Sequence, residues 1–126
     1  MMITEEDGKV VKMFILIPVA EKTLDVNIKR MRKADLKIPE LFIGQLILLQ
    51  DELIKKYRGT KIRMRELGIK VLESQQNPDG IFATYKCRGY EHKMNLRWEL
   101  IRSDIMTLLS EMMDIDLDKL EVLTDE

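Results

Sequence analysis

Residues 80–101 read GIFATYKCRGYEHKMNLRWELI, and the way this stretch doubles back decides the fold. A two-residue loop at Gly89-Tyr90 places glycine at the first central position of a type II′ turn, which requires a positive φ. That loop sets Arg88 opposite Glu91, Cys87 opposite His92, Tyr85 opposite Met94 and Ile81 opposite Trp98. Side chains alternate faces along a strand. Ile81, Ala83, Tyr85, Cys87, His92, Met94, Leu96 and Trp98 therefore form an apolar face. Phe82, Thr84, Lys86, Arg88, Glu91, Lys93, Asn95 and Arg97 form a cationic one. A one-residue slip would exchange the two.

Upstream, Val10 to Val19 (VVKMFILIPV) is apolar on both sides and rich in β-branched and aromatic residues. It is predicted to be a covered strand, the third member of the sheet, with Pro18 near its end. Thr23 is a candidate N-cap for a helix to about Lys33, with Leu24, Ile28 and Met31 at helical spacing. Pro39 suits a first helical turn, and Glu40 to Tyr57 is the strongest helix of the chain. Its middle, LFIGQLILLQDELI, is apolar nearly all round, the pattern of a helix buried among several neighbours.

Residues 60–76 fork between two readings. Met64, Leu67, Val71 and Leu72 lie at helical spacing. Alternatively, 69–76 is a strand joined to the hairpin through Asn77-Pro78-Asp79-Gly80. With a three-residue loop the strand would turn Gln75 and Glu73 onto the apolar face, at a cost of order kcal/mol each, so the helix is preferred. Ser103 caps a last helix through about Met113. The predicted fold is α+β: a small antiparallel sheet, made of the N-terminal strand and the 81–101 hairpin, packed against three to four helices in the order β-α-α-α-β-β-α. Residues 1–8 read as a flexible N-terminus, 9–113 as one globular domain and 114–126 as an acidic tail.

The net charge of −1 hides an asymmetry: residues 8–102 carry 20 Lys or Arg against 11 Asp or Glu, and residues 103–126 one Lys against eight acids. A basic body with an acidic tail suits an anionic partner, or simply keeps the chain soluble. No run approaches the roughly 18 apolar residues of a membrane span, and no basic leader precedes the 10–20 stretch. The expected location is the cytoplasm, with no membrane partner. One cysteine excludes an internal disulfide, and with one histidine it argues against structural zinc.

Chemistry is sparse. Cys87 and His92, cross-strand neighbours in this register, resemble a thiolate–imidazole pair, but no third orienting residue accompanies them. A free cysteine is more often a small core hydrophobe. Asp114, Asp116 and Asp118 lack the glycine and closing glutamate of a calcium loop, and no phosphate-cradling glycine loop occurs. No catalytic residue, cofactor or metal site is expected.

Two function classes remain. The first is a non-catalytic adaptor or regulator that binds another protein, including a homo-oligomer through the Ile105–Met113 stripe. The second is a nucleic-acid-binding regulator with two candidate surfaces. One is a sheet platform of Phe82, Lys86, Arg88, Lys93 and Arg97. The other is a winged-helix-like reading helix carrying Lys61, Arg63, Arg65 and Lys70. Binding that weakens steeply with salt separates the second class from the first.

Overall fold

The computed structural model of the chain describes residues 3–124. Its elements are α1 (Glu5–Lys33), α2 (Pro39–Glu66), β1 (Ile69–Asn77), β2 (Gly80–Cys87), β3 (Tyr90–Arg97), α3 (Trp98–Met112) and α4 (Leu117–Thr124). The class is α+β, but the order is α-α-β-β-β-α-α. The expected order β-α-α-α-β-β-α is corrected at two places within the domain, and a further helix, α4, follows it.

The first correction is the N-terminal strand. Residues 10–19 lie inside α1, a single helix of 29 residues that runs through Pro18. Thr4 and Asp7 form a capping box at its start, three acids occupy the first turn, and Arg30, Arg32 and Lys33 the last. Both ends thus match the helix dipole. The helix begins within the segment assigned to a flexible N-terminus, and Asp7 is buried. Residues 10–19 are apolar all round because α1 is the central element, with α2, the sheet and α3 packed on it. Val11, Ile15, Leu16, Ile17 and Ala20 are all buried. A short unbroken apolar run does not by itself distinguish a covered strand from a buried helix.

The second correction is residues 69–77, which form strand β1 rather than a helix. The connection to β2 has two residues, not three: Asn77 pairs with Gly80, and the Asn77 side chain accepts from the Asp79 and Gly80 amides. The shorter loop turns Gln75 opposite Phe82 and Glu73 opposite Thr84, both on the outer face. A bulge between Val71 and Glu73 then restores the inward face, so that Val71 meets Tyr85 and Ile69 meets Cys87. The cost that argued against a strand is thereby avoided.

The sheet is an antiparallel meander, β1-β2-β3. Its β2–β3 turn is Arg88-Gly89, with Cys87 opposite Tyr90. Both turn residues have positive φ (51° and 88°), which makes it a type I′ turn and not type II′. Each expected pair therefore slides by two positions, giving Tyr85–His92 and Ile81–Leu96. A two-residue slide preserves the faces. Ile81, Ala83, Tyr85, Cys87 and Leu96 are buried as that alternation requires. Trp98 leaves the strand to start α3, five residues before Ser103, and its indole donates to the Asn77 carbonyl at 2.9 Å. Within the acidic tail, 117–124 form α4.

Candidate functional site

The hairpin tip does not build the expected platform in full. Phe82, Lys86, Lys93 and Arg97 share the outer face, which no helix covers substantially, and Lys70 joins them opposite Lys86. Arg88 is elsewhere. In the left-handed turn conformation its side chain folds back to the start of α1, where Nη2 donates to Asp7 Oδ2 at 2.6 Å and Nη1 to Oδ1 at 3.3 Å. Nη1 also donates to the Leu67 carbonyl at 2.9 Å. This fork binds three distant segments into one clasp. Asp7 is fully buried, and the Arg88 guanidinium holds its carboxyl well below the usual carboxylate range despite that burial. Acids also interrupt the outer face, with Glu91 opposite Lys86 and Glu73 opposite Thr84.

The Cys87–His92 pair dissolves with the register. Cys87 faces Tyr90 across the turn, while His92 stacks on Tyr85 with ring centroids 5.5 Å apart. Burial, and then the nearby Asp7 charge, push the Cys87 thiol up, which disfavours a thiolate nucleophile. Among the described residues no three His, Cys, Asp or Glu side chains gather to hold a metal ion.

The alternative reading helix is the C-terminal part of α2, continuous from residue 39, with no helix-turn-helix corner. Lys61 lies over the Tyr57 ring, Arg63 bonds Glu6 at 2.5 Å, Arg65 is exposed and Lys70 belongs to β1. The Ile105–Met113 stripe is also largely spent: Ile105 and Leu108 are in the core, with Leu109, Met112 and Met113 packed against it.

The surface that sequence reasoning missed is the first half of α2. Its apolar middle implied burial among several neighbours, yet only Leu49, Leu53 and Met64 of the whole helix are buried. Leu41 and Leu48 are 65% and 66% exposed, and Ile38, at the helix start, is 63% exposed. Phe42 and, in the connection from α1, Leu36 join them. Large apolar side chains left exposed close together in the chain mark an interaction surface. Two backbone features accompany it. Ile38 is a β-branched residue at φ 47°, strained by about 1–3 kcal/mol. Gly44 lies mid-helix with nothing near where a Cβ would stand, so the protomer itself gives no reason for glycine there. The signal was in the letters: a helix apolar on every side needs neighbours on every side, and the chain provides them on one.

Residues 2–117 match the family model described as YhjD protein. No curated protein and no solved structure matches the chain.

Proposed function

The chain belongs to the YhjD protein family, and from its surface we propose that it is a non-catalytic interaction module. It docks through the closed end of the α1–α2 hairpin. The observation that carries this reading is the exposed apolar group Leu36, Ile38, Leu41, Phe42 and Leu48. Leaving it in water forgoes roughly 1.5–3 kcal/mol for each side chain that a partner could fully cover.

A photo-crosslinker placed at Leu41 in the intact chain, expressed in cells, tests the reading. It should form adducts well above those of the same group at Glu99, an exposed residue on α3. Equal yields at both positions would remove the hairpin end as a docking surface.

A second reading has one observation in its favour. Lys93 and Arg97 flank Phe82 diagonally on the open sheet face, with Lys86 and Lys70 four positions further along it, an arrangement that can follow a phosphate backbone and stack one base. Retention on single-stranded nucleic acid at about 50 mM salt, lost near 200 mM, would support it. Lys86→Glu, Lys93→Glu and Arg97→Glu together should then abolish retention, and survival of binding would sink the platform.

A further inference from the structure

The apolar tip of the α1–α2 hairpin stands inside a collar of positive charge. Lys29, Arg30, Arg32 and Lys33 at the end of α1, and Lys37 in the connection, are all exposed. Asp35 and Glu40 are the only acids between residues 29 and 42. The salt bridge of Lys29 with Asp25 is itself exposed to solvent. Charge decides among occupants. A second copy seated across a two-fold axis at this tip would bring five cations against the same five, an arrangement that repels. An anionic lipid leaflet satisfies both halves of the surface. Headgroups meet the lysines and arginines, and the acyl boundary receives Ile38 and Leu41. These two side chains lie one helical turn apart, about 5 Å along the axis, which is within the depth that interfacial helices reach.

A cavity of about 580 Å³ runs along α1 from Pro18 to Arg30 and reaches Trp98, whose indole is partly buried against the core. No helix among the described residues is long and apolar enough to cross a membrane, and a contact lying on the surface needs none. The sequence expectation of no membrane partner rested on that missing span.

From the apolar tip and its cationic collar we infer that the hairpin end is a peripheral membrane contact selective for anionic headgroups. The inference rests on the docking surface proposed above and names its occupant. Flotation of the full chain with two vesicle preparations tests it: phosphatidylcholine alone, and phosphatidylcholine with about one-third phosphatidylglycerol. The chain should float with the anionic vesicles only, and less as salt rises. Ile38→Glu with Leu41→Glu should weaken binding at least about 30-fold. Arg32→Ala with Lys33→Ala should weaken it about 25-fold, near five-fold per charge removed. All four residues are exposed, so the chain should stay folded, with melting temperatures lowered by at most a few degrees as the two α1 end charges are removed.

Absence of flotation with anionic vesicles overturns the inference, as does undiminished binding of the double glutamate variant. Adducts to protein at Leu41 without vesicle binding would leave the docking surface standing and remove the lipid. A solution mass of two chains that Leu41→Glu reduces to one would name a second copy as the occupant instead. Neither adducts nor flotation would remove both readings.

Discussion

Arg88 shows how far one side chain can depart from the alternation of its strand. Up to Cys87 the pleat dictates direction, but the turn backbone at φ 51° releases Arg88 toward Asp7, 81 positions earlier. The buried Asp7 carboxylate depends on that guanidinium. Arg88→Ala should cost about 2–3 kcal/mol in denaturant unfolding at neutral pH, somewhat less than for a fully enclosed pair because the arginine is partly in water. The pH dependence has a definite sign. The folded-state pKa of Asp7 is lowered from 3.8, so its contribution is complete above the unfolded value. It fades as pH falls below about 4 toward the lower folded value. The variant should lose that acid-dependent component, so the stability gap between wild type and variant should stay constant from pH 7 to about pH 5 and narrow as pH falls below about 4. Half of this clasp could be read directly: Thr4-x-x-Asp7 is a capping-box pattern ahead of an apolar run. Its partner could not, since no local rule relates residue 7 to residue 88.

At the scale of elements, strand parity decides which faces meet the core. The faces of β2 and β3 survived a wrong turn because the slide was even. For β1 a three-residue loop would make an odd change relative to the two-residue connection that forms, turning Gln75 and Glu73 inward. The bulge at Leu72 then corrects a second parity mismatch that alternation alone could not accommodate. Gly80 marks the place where β2 is tightest: a Cβ there would collide with the Leu96 carbonyl. Gly80→Ala should therefore cost about 2 kcal/mol or more, measured by thermal melting. Gly44 is the opposite case, a glycine in open space within a helix. Gly44→Ala should raise stability by about 1 kcal/mol in the same measurement, with no change in circular dichroism.

For the whole molecule, the decisive reversal concerns which apolar helix is inside. Residues 10–19 and 41–54 are both apolar on all sides, and composition gives no way to rank them. Topology does: α1 takes the centre because α2, the sheet and α3 all close on it, while α2 lies at the margin and leaves its first half uncovered. The same topology places the basic end of α1 beside the bare start of α2, and the lipid contact inferred above arises from that juxtaposition.

The central position of α1 has a consequence for synthesis. Its covering strands and third helix follow it by more than thirty residues, so a nascent chain halted near residue 68 has made the helical pair but not the sheet. Such a fragment would carry Ile15 without Ile81 and the other sheet residues beside it. We expect the isolated 1–68 polypeptide to be helical by circular dichroism yet to sediment as aggregates, whereas the full chain stays dispersed. Premature termination would then create a burden for chaperones rather than a smaller working protein.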